Sequence, residues 1–582
     1  MRDAARGTFF VLGHAWRAGP TTLTIGWAMQ LLLALVPGLQ VLVIADLIER
    51  LDGTATLRDV LGPLMIVVAI LGLAGPVRGV AALLREASED AGAAGLAGAV
   101  AQRAARTPPS ELAKPEVVAT LHEHSESIWR GVALLPANLL FAIQDVVATL
   151  GVVLAIATLS PAAAGFTALA LLPAAISGHL FAHHISVFLK RISTIFAREE
   201  YYRNLLVRQR SAVELATMGG GGWIADRSVE QWRAFVAARL ALSRRNVRFD
   251  WVVGLVSTVG MFAALLTLLT DTGFSAVGVA GVSGIIAGTG TIMGAGNNIG
   301  QVLSYGPSAA RLQDFVEEIP QQGSAPGRHP ATIDRLQVRG LRHTYPDRHA
   351  PAVDDVSFDA ARGEVIALVG ANGAGKTTAV RALLGLLQPD AGSVDVDGVA
   401  PADVDGAAWL RRFGVMVQEY ERYELTIREN LVLGLEHDVS DDRLWAALDL
   451  AGLATLVRSL PEQLDTQLGE QWEGTTLSGG QWQRLSLARV AVRDAPVWVL
   501  DEPTSAVDAE SEEAILHRLV RERGDRITVL VSHRAWTLRE VDRIYVLDAG
   551  RVVEEGSFAG LLARPGSRFG ELFRNQLGTS TA

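Results

Sequence analysis

Residues 364–378 read EVIALVGANGAGKTT, and this stretch decides the fold of the second half of the chain. The apolar run Glu364–Val369 predicts a buried strand, and a helical pattern begins near Thr377. Between them Gly370, Gly375, Lys376 and Thr377 stand in the G-x-x-x-x-G-K-[ST] spacing of a phosphate-binding loop, in the strand–turn–helix context that this loop requires. Glycines let backbone N–H groups converge on phosphate oxygens, and the helix start adds a partial positive charge. Lys376 can reach the terminal phosphates, and the Thr377 hydroxyl can ligate Mg2+.

Outward from that loop, further candidates follow in order. Tyr345 lies 25 residues before Gly370 and can stack on a purine, or serve as a core tyrosine. Gln418 ends the strand-like GVMV, where a side-chain amide can touch Mg2+ or an attacking water. Leu477–Gln481 reads LSGGQ ahead of a helical run. Ser478, Gly479 and Gly480 there offer a hydroxyl and unhindered N–H groups at a helix start. VWVLDE, residues 497–502, predicts a buried strand ending in two carboxylates. Asp501 fits a Mg2+ ligand, and Glu502 fits the general base that polarises water. Ser505–Asp508 follows at once, and His533 ends the strand-like ITVLVS. From about residue 331 strands and helices alternate, as in an α/β domain. The preceding 321–330, QQGSAPGRHP, is a linker by composition.

The first half reads differently. Six apolar runs, at about 21–48, 57–84, 132–159, 162–189, 247–270 and 274–304, each exceed the roughly 20 residues that cross a bilayer. The long stretches 85–131 and 190–246 carry many arginines, which places them and both termini on the cytoplasmic side. Residues 1–20 predict a short amphipathic helix with Phe9, Phe10, Leu12 and Trp16 as its apolar residues, either lying on the membrane or serving as an ordinary N-terminal helix. Gly219–Gly222 breaks the helical pattern of the second long stretch. Asp145 within the third run either lines a cavity or makes a helix-to-helix hydrogen bond. His179, His183 and His184 lie in the fourth run, but adjacent histidines diverge on a helix and make a poor metal site. The sixth run holds Gly284, Gly288, Gly290 and Gly294 at small-x-x-x-small spacing, which suits either close packing or a moving helix. Asn297 and Asn298 add polar groups at its end and join Asp145 as candidate cavity residues.

A chain of 582 residues with a net charge of −10 calls for at least two domains and argues against a nucleic-acid partner. It has no cysteine, which excludes disulfides, cysteine-bound zinc and a cysteine nucleophile. Lysine occurs only as Lys114, Lys190 and Lys376. The start carries no signal-peptide pattern.

With these motifs in order, the chain resembles an ATP-binding cassette (ABC) half-transporter of the exporter type over essentially its full length. The resemblance implies a six-helix membrane domain (1–320), the linker (321–330) and an α/β P-loop nucleotide-binding domain (331–582). Tyr345 matches the A-loop; Gly370, Asn372, Gly373, Gly375, Lys376, Thr377 and Thr378 lie in the Walker A; and Gln418 matches the Q-loop. Ser478, Gly479, Gly480 and Gln481 belong to the signature, Asp501 and Glu502 end the Walker B, Asp508 closes the D-loop, and His533 matches the switch histidine. It implies ATP and Mg2+ as cofactors, with the metal on Thr377, Gln418 and Asp501. It implies a second half-transporter as partner, with a homodimer favoured over a heterodimer, and ATP sandwiched between the P-loop of one copy and the signature of the other. The expected place is the bacterial cytoplasmic (inner) membrane. Gln481–Gln483 (QWQ) and Tyr201–Leu215 are similar to exporters of lanthipeptides, which implies a modified or hydrophobic peptide as substrate. Multidrug or lipid export and import of a metal chelate are the alternatives.

Overall fold

The computed structural model describes residues 2–51, 57–112, 114–272, 276–318, 332–346, 348–418, 420–435, 437–503 and 509–577. The linker 321–330 and Ser505–Asp508 lie outside them, as do the side chains of His179, His183 and His184 and the burial of Gly288 and Gly290. The chain divides into two compact units, Met1–Ala105 with Val118–Ile319 and Arg106–Val117 with Pro320–Ala582.

The first half is helical. Its helices are α1 (Arg2–Ala18), α2 (Pro20–Ala34), α3 (Val36–Leu51), α4 (Leu57–Arg106), α5 (Pro109–Leu112), α6 (Pro115–Arg130), α7 (Leu135–Leu159), α8 (Pro161–Val207), α9 (Gln209–Thr217), α10 (Gly221–Thr272) and α11 (Ala276–Glu318). Among the described residues four stretches are long and apolar enough to cross a membrane: Pro20–Leu47, Val60–Arg106, Val132–Leu159 and Trp251–Asp271. The fourth and sixth apolar runs lie in α8 and α11, parts of which carry no described side chains. The first run is broken at Leu35 between α2 and α3. Pro37 has no N–H to give to Leu33 and its ring crowds that carbonyl, so the helix restarts there. The four-glycine stretch ends α9 as expected: Gly219 takes φ 68°, and α10 begins at Gly221.

Helix α1 buries its small residues, Ala4, Gly7, Thr8, Val11 and Ala15, while Phe9 and Trp16 are exposed. Its partner is α11, where a Cβ at Gly306 would lie 2.6 Å from the Ala4 Cα. Small residues therefore set the distance between these helices. Ser160 caps α8 by accepting from Ala163 N at 3.1 Å, and its hydroxyl donates to Asp271 of α10 at 2.5 Å.

The second half is α/β. Its strands are β1 (Arg335–His343), β2 (Val353–Ala361), β3 (Val365–Gly370), β4 (Ala391–Val396), β5 (Phe413–Met416), β6 (Val497–Asp501), β7 (Ile527–Val531), β8 (Arg543–Asp548) and β9 (Arg551–Gly556). Its helices are α12 (Lys376–Leu383), α13 (Gly406–Leu410), α14 (Ile427–Val432), α15 (Asp441–Leu450), α16 (Ala454–Ser459), α17 (Gly479–Arg493), α18 (Ala509–Arg521), α19 (Phe558–Ala563) and α20 (Arg568–Leu577). The main sheet has the order β5-β6-β7-β3-β8-β9, parallel except for β9, and a separate antiparallel sheet has the order β2-β1-β4. β3, β6 and β7 are buried along their whole length, as the apolar runs VIALVG, VWVLD and ITVLV require of central parallel strands. Register pairs Leu368 with Val531 and Asp501 with Val531, so the carboxyl ends of β3, β6 and β7 lie side by side. Ligands in open α/β sheets bind beyond such ends.

Candidate functional site

The loop after β3 is shaped by backbone that only glycine adopts freely. Gly373 and Gly375 take φ of 82° and 99°. A Cβ at Gly375 would stand 2.7 Å from the Ala352 oxygen and 2.8 Å from Val353 Cγ1. The loop thus leaves bare N–H groups at the start of α12, where Gly375 is the N-cap. Asn372 and Gly373 are exposed in the loop, and the Thr377 side chain is exposed at the helix start. Lys376 is buried, 6% exposed, and its Nζ donates to the oxygens of Gly370 at 2.8 Å and Ala371 at 3.1 Å. Burial pulls its ammonium below the usual lysine range, and the charges of Asp501 and Glu502 oppose that shift. Tyr345 is half-buried beside this helix, with its hydroxyl 3.4 Å from Thr378 Oγ1 and its ring edge-on to His343 at 4.9 Å.

Asp501 ends β6 and is 7% exposed. Burial, and next the charge of Glu502, push its carboxyl up to about 6, with Lys376 and Arg381 opposing. Glu502 follows in left-handed backbone, φ 49°. Its N–H donates to Val531 O at 3.0 Å and its carbonyl accepts from Gln483 Nε2 at 2.8 Å. The turn aims the carboxylate at two partners: His533 Nε2 at 3.2 Å from Oε1, and Gln418 Nε2 at 3.4 Å from Oε2. Burial first, then Lys376, hold the His533 imidazole below its ordinary value, against the pull of Glu502.

The LSGGQ segment opens α17. Ser478 is its N-cap: Gln481 N donates to Ser478 Oγ at 3.3 Å, and Ser478 N donates to Gln481 Oε1 at 2.8 Å. This capping box uses both side chains to satisfy the helix start. Tyr420 Oη donates to Gly479 O at 2.9 Å, tying the loop after Gln418 to the signature. Gln483, buried at 1% exposed, reaches Glu502 from the same helix. Sequence reading missed Gln483 as a site residue. Its spacing from the signature was visible, but its contact with a residue 19 positions on was not.

In the helical half, Asn298 Nδ2 donates to Asp145 Oδ2 at 3.1 Å, which joins α11 to α7. A Cβ at Gly294 would lie 2.5 Å from the same carboxylate oxygen, so Asp145 is seated against glycine backbone. One turn on, Thr149 and Thr291 share a hydrogen bond of 2.9 Å. Asp145 and Asn298 thus come together, while Asn297 is exposed on α11. Gly294 serves close packing here.

Residues 353–505 match the ABC transporter family profile. The matched stretch runs from β2 past the end of β6 and contains the P-loop, the LSGGQ segment and Asp501–Glu502. A domain of that profile uses ATP with Mg2+. The chain is 39% identical over 246 residues to an ATP-dependent lipid A-core flippase of Thiobacillus denitrificans, covering 42% of each chain. It is 34% identical over 391 residues to a beta-(1→2)glucan export ATP-binding/permease protein of Rhodopseudomonas palustris, covering 65% of this chain and 63% of that one. The chain thus spans about half the length of the curated relatives it matches. A bacterial Atm1-family ABC exporter solved with ATP bound superimposes with TM-score 0.81 over 95% of this chain and 98% of that one, at 21% identity. The whole chain therefore has the exporter-type ABC fold, a helical membrane part fused to the nucleotide-binding domain.

The residues present fit the expected groups. A cradle that Cβ atoms would fill, the Lys376 ammonium, the exposed Thr377 hydroxyl and the Asp501 carboxylate suit a triphosphate and a hard divalent cation.

Proposed function

We propose that this chain is one half of an ATP-driven exporter of the bacterial cytoplasmic membrane that works as a dimer, with two copies of this chain preferred over a pair with a second chain. In this reading residues 1–320 form the membrane part, 321–330 the linker and 331–582 the cassette. The observation that carries it is the meeting of Gln418, Glu502 and His533 beside a Walker A loop, in a chain whose other half holds membrane-length apolar helices.

Lys376 supplies counter-charge to the terminal phosphates. Thr377, Asp501 and Gln418 would hold Mg2+, which when bound spreads the phosphate charge. Glu502 takes the proton of the attacking water. His533 orients that carboxylate and hydrogen-bonds the terminal phosphate. Tyr345 stacks on the base. The signature residues Ser478, Gly479, Gly480 and Gln481, with Asp508, act on the nucleotide of the second copy. Closure of two nucleotide domains then turns the membrane helices outward.

The substrate is amphipathic. The run around LSGGQWQR and the segment Tyr201–Leu215 support a modified or hydrophobic peptide. The lipid A-core flippase among the relatives supports a lipid, the second reading. ATP turnover in lipid nanodiscs, with peptides, lipids and hydrophobic drugs as stimulants, separates them. Stimulation by peptides alone favours the first, and stimulation by lipids or drugs the second. Glu502→Gln should bind ATP yet lose about 100-fold or more in turnover. Full turnover in that variant would refute the assignment of the base.

A further inference from the structure

Helix α20 is held at both ends, and one end grips the loop that carries His533. At its start, Arg568 N and Phe569 N donate to the Glu554 carboxylate of β9 at 2.9 and 3.0 Å, and Ser567 Oγ donates to it at 2.9 Å. Phe569 and Phe573 are buried in the core of the α/β half, which fixes the helix by packing. At its other end the Gln576 side chain lies along the backbone of residues 533–535. Its Nε2 donates to the His533 carbonyl at 2.9 Å, and its Oε1 accepts from Ala535 N at 2.7 Å. Strand β7 ends at Val531, so these two groups lie beyond the sheet ladder. A side-chain amide that satisfies one carbonyl and one N–H does for this loop what a neighbouring strand does for a sheet.

We propose that Gln576 is the positioning residue for His533. This inference rests on the reading that Glu502 and His533 act on ATP. Gln576 bonds the backbone from which the imidazole springs, and so fixes where Nε2 meets Glu502, 3.2 Å away. The other side of the loop is also tied down: Arg534 pairs with the buried Glu512 of α18, and Arg534 N donates to Ser532 Oγ at 3.1 Å. The loop is therefore clamped between α18 and α20, and its catalytic geometry depends on both. Displacements on the order of 1 Å at reacting groups cost up to about 100-fold in rate.

The test uses the full-length protein in lipid nanodiscs. ATP turnover is measured for wild type, Lys376→Ala, Gln576→Leu, Gln576→Glu, His533→Ala and the double variant His533→Ala with Gln576→Leu. Gln576→Leu should lower kcat about tenfold, for two lost hydrogen bonds, with KM for ATP within about twofold of wild type. Gln576→Glu keeps the shape and the acceptor for Ala535 N but loses the donor to His533, so it should also fall, and it serves if the leucine variant does not fold. The double variant should be no slower than His533→Ala alone, because Gln576 acts through His533. An unchanged kcat in both Gln576 variants, or a further loss in the double variant, would overturn the proposal. Turnover lost in Lys376→Ala but kept in the Gln576 variants refutes this inference and leaves the site standing. Turnover kept in all of them refutes both.

Discussion

Glu502 sits at φ 49°, a conformation that costs a non-glycine residue about 1–3 kcal/mol. Two backbone hydrogen bonds hold it there, to Val531 and from Gln483. Removing the second, as in Gln483→Leu, leaves a carbonyl unsatisfied and releases the turn. Stability should fall by about 1–3 kcal/mol and turnover should fall with it, read by thermal melting and ATP hydrolysis. Gly375→Ala has less room still, since its Cβ would meet the Ala352 oxygen at 2.7 Å in left-handed backbone. Loss of ATP binding, measured by fluorescent-nucleotide titration, is the expected result, and wild-type affinity would show that the loop can shift. At this scale the sequence was informative wherever spacing along the chain carries the chemistry. Lys376, Glu502 and His533 stand in fixed motif positions, and the structure brings the last two within 3.2 Å. Gln483 and Gln576 escaped because they act across 19 and 43 residues, through a fold that motif spacing does not encode.

Among the elements, the start of α20 is held by one carboxylate, that of Glu554. Burial alone would raise Glu554, but the N–H groups of Phe569 and Arg568 and the Ser567 hydroxyl favour its charged form and hold it below the usual value of 4.5. A carboxylate depressed in the folded state contributes stability above its unfolded pKa, and that contribution is lost as pH falls through the folded value. Docking of α20 should therefore weaken below about pH 4.5. Amide hydrogen exchange in Arg568–Leu577, corrected for the intrinsic pH effect, should become faster there in wild type. In Glu554→Gln it should already be fast at neutral pH. Equal protection at both pH values in wild type would show that Phe569 and Phe573 suffice to hold the helix. In the membrane half, Gly294→Leu should cost about 1–3 kcal/mol by forcing α11 away from Asp145, read as a lower melting temperature in nanodiscs. The apolar runs were legible here as helices. The break before Pro37 was not, nor was the inward face of α1, which is built from Ala4, Gly7, Thr8, Val11 and Ala15 while Phe9 and Trp16 stay exposed.

For the whole molecule, hydropathy and motif order disclosed a helical half joined to an α/β half, and that is the architecture found. Substrate choice is written less plainly. It depends on which side chains several helices turn toward a shared space, and periodicity in one helix does not report that. Asp145 illustrates the point: from sequence it had two readings, and in the fold it is bonded to Asn298 and seated on Gly294. The central claim, that this chain turns over ATP at the site built by Lys376, Asp501, Glu502 and His533, is tested most directly by one comparison. Steady-state ATP hydrolysis of the purified protein in lipid nanodiscs is measured for wild type and Glu502→Gln, with ATP binding followed in parallel. The account predicts Mg2+-dependent turnover in wild type and retained binding with turnover reduced about 100-fold or more in the variant. Equal turnover in the two proteins would contradict it.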